Sequence, residues 1–140
     1  FPKNNLIAVA AFNQNGAIAD YSNYGASTVD VSAPGSNILS TIPGGGFGYL
    51  DGSSMACPFV AGLAALLKAK NGSFGGGQIV STIIQTSVRQ EGSPKPIAAG
   101  RVNALAALQS GGDGGDGGDG GGGGCFIDYL LNQPPAGQPQ

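Results

Sequence analysis

Apolar residues fall in short runs along the first third of the chain and at helical spacing behind it. "LIAVAAF" (Leu6–Phe12) is a continuous apolar run of buried-strand length. "NQNG" (Asn13–Gly16) is a turn signal. "VDVSAPG" (Val29–Gly35) shows β-branched alternation ending in a Pro-Gly turn, and "NILSTI" (Asn37–Ile42) reads as another short strand. "PGGGFGYL" (Pro43–Leu50) reads as a mobile, glycine-rich loop leading into a brief extended stretch. A long helix is then predicted from Ser54 to Lys70. Met55, Val60, Leu63, Ala64, Leu66 and Leu67 leave so few polar positions that most of its faces are expected to be buried. Pro58 is expected in the first turn, where its missing N–H costs little. Lys68 and Lys70 suit the negative helix end, and Asn71-Gly72 supplies a stop. A second helix is predicted over about Gln78–Arg89, with Ile79, Val80, Ile83, Ile84 and Val88 on one side, and a third over about Val102–Gln109. Strands alternating with helices predict an α/β class.

The 140 residues suffice for one ordinary domain, and composition divides them. Residues 1–110 read as a globular piece. Residues 111–124, "GGDGGDGGDGGGGG", contain eleven glycines and three aspartates. A calcium-binding glycine-aspartate repeat needs an apolar residue in each unit to build a core. This run has none, so it reads as a Gly/Asp-rich flexible linker. Residues 125–140, "CFIDYLLNQPPAGQPQ", read as a short tail whose first seven residues are apolar enough to dock and whose remainder is Pro/Gln-rich. Up to Ser110, six Lys/Arg stand against Asp20, Asp30, Asp51 and Glu91, leaving +2 with no basic run or stripe. Nucleic-acid binding therefore has no electrostatic footprint, and no segment is long enough for a membrane span. Cys57 and Cys125 do not make a disulfide framework. Cys57 is expected to pack as a small hydrophobe in the long helix, and Cys125 to be accessible. No signal-peptide pattern is visible. The chain starts at Phe1, not Met, and is expected to be a processed product, an excised piece or an incomplete reading frame.

The chemistry concentrates in "DGSSMACPFVAG" (Asp51–Gly62). A serine hydroxyl is a poor nucleophile until a base takes its proton. A helix N-terminus helps by offering free N–H groups to negative charge on a substrate oxygen. Gly52 would let the backbone approach closely, and the Ser54 N–H could point at a substrate carbonyl. The plainer alternative is that Ser and Asp here are ordinary N-cap residues. G-x-S-x-G does not apply, since Ala56 stands at its second glycine, and no lysine follows either serine at S-x-x-K spacing.

"GSSMACPFVAGLAALL" resembles the serine block of the subtilisin-like (subtilase) peptidases, G-T-S-M-A-x-P-H-V-A-G. Gly52, Ser54, Met55, Ala56, Pro58, Val60, Ala61 and Gly62 match. Ser53 replaces the threonine, and Phe59 replaces a histidine that is not the triad base. The segment before the block is also similar to the family's, as is "IAAGRVNALAAL" (Ile97–Leu108), so the resemblance covers about residues 3–110.

The resemblance implies a three-layer α/β/α fold with a mainly parallel sheet, present here as its C-terminal portion. It implies Ser54 as acylating nucleophile, its N–H as half of the oxyanion hole, and Ser53 as oxyanion support. Gly48, Tyr49, Leu50, Asp51 and Met55 would border the substrate cleft. Oxidation of Met55 could block the site, and a carboxylate at Asp51 would slightly disfavour an acidic substrate. Asp30 matches a position that helps hold a cation in some relatives, but Thr28 stands where those carry an acid, so no metal site is expected. No cofactor is required for the chemistry, and structural calcium is compatible with a full-length enzyme. The chain contains no histidine, and a general base must come within about 3 Å of the hydroxyl. The expectation is therefore the nucleophile-bearing part of a longer, secreted or envelope serine endopeptidase acting on protein or peptide substrates. Its Asp and His would lie in the missing N-terminal part of the catalytic domain, and the isolated chain would be inactive. The alternatives are a noncatalytic remnant or binding module, and a half-domain complemented by a separate N-terminal chain. "GGGGCFI" (Gly121–Ile127) also resembles a glycine-run Cys-Phe-Ile box at the C-terminus of some exported bacterial proteins; the plain alternative is a linker with an apolar plug.

Overall fold

The computed structural model describes residues 5–110. The linker and tail readings for 111–124 and 125–140, Cys125 included, lie outside the described residues. Three strands, β1 (Val9–Phe12), β2 (Val31–Pro34) and β5 (Gly100–Arg101), form a parallel sheet in the order β1-β2-β5. An antiparallel hairpin, β3 (Ile38–Thr41) and β4 (Phe47–Leu50), stands beside it, with Ile38 opposite Leu50 and Thr41 opposite Phe47. The helices are α1 (Ser53–Lys70), α2 (Gly76–Gln85) and α3 (Ala104–Ser110). The α/β class with parallel pairing is thus observed. Among the described residues the three helices share one core with the sheet face carrying Ala11, Val31 and Ala33. The opposite face is covered by irregular segments bearing Ile18, Val29 and Ile97.

The short strands follow from small residues. Ala11 and Ala33 are fully buried, which lets α1 lie close on the sheet, and Ala10 is buried on the opposite face. Ser32 faces the other way from Val31 and Ala33, and its hydroxyl is buried without a partner. The glycine-rich stretch after Ile42 is the tip of the hairpin, closed by the Ile42 N–H donating to the Gly46 carbonyl. A Cβ at Gly44, Gly45 or Gly46 would touch nothing within 4 Å.

α1 corrects three expectations. It starts one residue earlier, at Ser53, which makes Pro58 the sixth helical residue and places it inside the helix. The missing Pro58 N–H therefore leaves the Ser54 carbonyl without its i+4 donor, a cost the helix carries without breaking. Second, burial is one-sided. Ala56, Val60, Leu63 and Leu67 form the covered stripe, while Phe59 and Leu66 are 46% and 40% exposed. Third, Cys57 is exposed rather than packed. Helical geometry puts residue 57 on the flank of the 56-60-63-67 stripe, where none of the described elements covers it. At the other end, Lys68 Nζ donates to the Gly72 and Phe74 carbonyls and Lys70 Nζ to the Leu108 carbonyl, so the two lysines tie the helix end to the following turn and to α3.

α2 stops earlier than the apolar spacing suggests, because Val88 leaves the helix. Its N–H donates to the Arg101 carbonyl and its carbonyl accepts from Arg101 N–H, so that sheet-type bridge takes the backbone α2 would need. α3 begins at Ala104, with Asn103 Oδ1 accepting the Ala106 N–H.

Candidate active site

The serine turn sits at the C-terminal edge of the parallel sheet, where open α/β sheets present their ligand crevices. Gly35 follows β2 directly, and its N–H donates to the Phe12 carbonyl at the end of β1 (3.1 Å). Gly52 N–H then donates to the Gly35 carbonyl (2.8 Å), docking the start of α1 onto the strand ends. Both glycines are needed. A Cβ at Gly35 would overlap Ala11 Cβ and stand 2.8 Å from the Gly52 carbonyl oxygen. Gly52 has φ +156°, a conformation L side chains rarely adopt, and a Cβ there would meet Met55 Sδ at 3.3 Å.

Gly52 is itself the N-cap, with no side-chain capping bond. Its carbonyl accepts the N–H groups of Met55 (3.0 Å) and Ala56 (3.3 Å). Ser53 and Ser54 are the first two helical residues, so helix geometry gives their N–H groups no intrahelical acceptor. Both serines are exposed. The N-cap alternative therefore fails: neither hydroxyl caps the helix. The arrangement is a serine on the first turn of an 18-residue helix, with two free N–H donors and the positive helix end beside it. Such an arrangement offers N–H donors to negative charge placed beside the Ser54 hydroxyl.

The other predicted cleft residues lead directly into this turn. Gly48, Tyr49 and Leu50 lie on β4, with Tyr49 63% and Leu50 42% exposed, and Met55 is half-buried against Gly52. Asp51 has a structural duty that its position in the sequence does not reveal. Its Oδ1 accepts the N–H of Asn37 (2.6 Å), which is held at φ +57°. This bond closes the base of the hairpin immediately before the serines. Tyr21, which sequence reasoning missed, donates its hydroxyl proton to the Gly35 carbonyl (2.7 Å) and lies 2.6 Å from Ser36 Oγ. A phenol has one proton, so Ser36 is the donor in the second bond. The Gly35 carbonyl thus receives both Gly52 N–H and Tyr21 O–H.

No group of three His, Cys, Asp or Glu that could hold a metal converges among the described residues. Asp30 Oδ2 accepts the Ala8 N–H (2.8 Å), so this carboxylate is engaged at the entry to β1. Away from the turn, Lys95 Nζ pairs with Asp20 at 2.8 Å and holds its carboxyl below the usual range, first by the hydrogen bond and then by charge. The general base expected for Ser54 is not among the described residues, and the full sequence has no histidine.

The profile of the subtilase family matches residues 2–118. Among curated proteins, the chain is 46% identical over 105 residues to Subtilisin Savinase of Lederbergia lenta, covering 75% of this chain and 38% of that protein. It is 44% identical over 105 residues to Alkaline elastase YaB of Bacillus sp. (strain YaB), covering 75% of this chain and 27% of that protein. The chain thus spans about a third of the length of the curated relatives it matches. Among solved structures, a protease from Pseudoalteromonas arctica PAMC 21717 superposes with TM-score 0.67 at 34% identity, covering 78% of this chain and 37% of that one. The patellamide maturation protease PatA gives TM-score 0.64 at 31% identity, covering 77% and 44%.

Proposed function

The chain belongs to the subtilase family, and from that premise we propose that it carries the nucleophile-bearing part of a serine endopeptidase. The observation that supports this most is Ser54 itself: exposed, not capping, and on the first turn of α1 beside two N–H groups that the helix leaves without acceptors. In the proposed reaction, Ser54 Oγ attacks the peptide carbonyl carbon and its proton passes to a histidine base. The carbonyl oxygen becomes an oxyanion held by the Ser54 N–H, with the Ser53 hydroxyl in support. Collapse expels the amine, which takes the proton from the base and leaves an acyl-enzyme, and water then releases the acid. Gly48, Tyr49, Leu50, Asp51 and Met55 border the cleft that takes protein or peptide substrates.

The base and its orienting acid come, in this reading, from residues outside these 140. Apart from β2, no second strand lies beside β1 among the described residues, where only its Ala11–Phe12 end is met by the Ile18 segment, and Phe59 and Leu66 leave apolar surface of α1 open. Both features suit further sheet and helix from the N-terminal part of the same domain. The same surfaces fit a separate N-terminal chain that completes the site by complementation. The chemistry needs no cofactor. Calcium would have a structural role in the larger enzyme. The protein acts outside the cytoplasm, as a secreted or envelope enzyme. No helix among the described residues is long and apolar enough to cross a membrane.

A fluorophosphonate probe tests the proposal. Ser54 in the purified 140-residue chain should react no faster than an ordinary serine. The same chain joined or mixed with an N-terminal part carrying the Asp and His blocks should label stoichiometrically, and Ser54→Ala should abolish that labelling. Stoichiometric labelling of the chain alone, or none in the completed domain, overturns it.

A further inference from the structure

A second polar site lies at the carboxyl ends of β1 and β2, around Arg101, and the peptidase reading does not use it. Arg101 is the last residue of β5 and sits beside Ser32 in register. Its guanidinium carbon lies 5.9 Å from the centre of the Phe12 ring, a cation–π seat. It also rests on bare backbone at Gly16, which has φ +79°; a Cβ there would stand 2.6 Å from Nη1. Five N–H donors in a fixed fork are thereby immobilised. Among the described residues they have no ion pair and no hydrogen-bond acceptor, and Nε is buried without a partner.

The guanidinium lines a cavity of 380 Å³ whose wall includes Asn13, Gln14, Asn37 and no acidic residue. Asn13 Oδ1 is already taken by the N–H groups of Asn15 (3.0 Å) and Ala17 (3.2 Å), so what remains of that amide is its NH2 donor. Asp51, the acid bonded to Asn37, spends Oδ1 on the Asn37 N–H and is not in the wall. A fixed, unpaired guanidinium in a pocket walled by amide side chains and no acid has the chemistry of a carboxylate receptor, because the planar fork meets both oxygens at once.

We propose that the Arg101 pocket binds a carboxylate, either a free small organic acid or the C-terminal carboxylate of a peptide. This goes beyond the peptidase reading and does not depend on it. The test is an NMR titration of the full ¹⁵N-labelled chain with sodium acetate, N-acetyl-dialanine and the amide of N-acetyl-dialanine, against sodium chloride at equal ionic strength. Acetate and the peptide acid should give saturable shifts at the Gly16 and Asn37 amides, and the peptide amide and chloride should not. Tighter binding of the peptide acid assigns the site to a chain terminus, and equal binding assigns it to a free acid. Arg101→Met should weaken binding at least about tenfold, the loss expected when a charge-assisted bidentate contact is removed. Gln14→Glu, at an exposed wall position, should weaken it severalfold through like charge. The proposal is overturned if neither carboxylate saturates, if chloride or the amide saturates equally, or if both variants bind as the parent does.

Discussion

Gly35→Ala isolates the contact that seats the nucleophile helix on the sheet. Gly35 does not have a positive φ, so the added methyl is tolerated by its own backbone and the effect is steric. The new Cβ overlaps Ala11 Cβ, and Ala11 is fully buried. It also stands 2.8 Å from the Gly52 carbonyl oxygen. Neither neighbour is the end of a flexible side chain, so the strand end and the start of α1 must separate. Overpacking of this kind costs about 1–3 kcal/mol, and a stretched Gly52–Gly35 hydrogen bond adds about 0.5–1.5 kcal/mol. The restricted unfolded chain returns about 0.4–1 kcal/mol. The net expectation is a loss of about 2 kcal/mol, read as a fall of about 1 M in the urea midpoint at unchanged slope. The decisive arm is the cycle with Ala11→Gly, which removes one of the two clashing groups. The double variant should recover at least about 1 kcal/mol relative to additivity. Additivity within about 0.5 kcal/mol, or a Gly35→Ala chain as stable as its parent, would refute the steric account of how α1 is held.

Two further predictions concern the exposed chemistry. Cys57 should react with a thiol reagent in the native chain at the rate of an unhindered cysteine, because it is exposed; protection until unfolding would contradict the one-sided burial of α1. Asp20 should titrate below an ordinary aspartate by NMR and return to the ordinary range in Lys95→Met. Since its folded pKa is depressed, the small stabilisation it gives is present above the unfolded pKa and fades as pH falls through the folded one.

The serine turn and the long helix behind it were legible because their causes are local. Gly52, the two serines and the apolar 56-60-63-67 spacing are contiguous, and the strands before them are short apolar runs bounded by turn residues. What escaped reading depends on partners far apart in sequence. The reach of Asp51 to Asn37 crosses 14 residues, and the Tyr21 bond to the Gly35 carbonyl also crosses 14. Nothing in either residue's neighbourhood signals those bonds. The one-sided burial of α1 is hidden from its sequence for a related reason. Hydrophobicity around a helix states what could be covered, and coverage is decided by elements elsewhere in the chain. Arg101 likewise looks like a lone surface cation in sequence, until β5 sets it over Phe12 and Gly16.

The hairpin is fastened at its base, by Asp51 to Asn37 and by Gly52 to Gly35, and among the described residues a side chain added at its glycine tip would meet nothing. Change at the tip is therefore mechanically insulated from Ser54. Residues inserted between Pro43 and Gly46 would lengthen the hairpin while its base, and with it the start of α1, keeps its position.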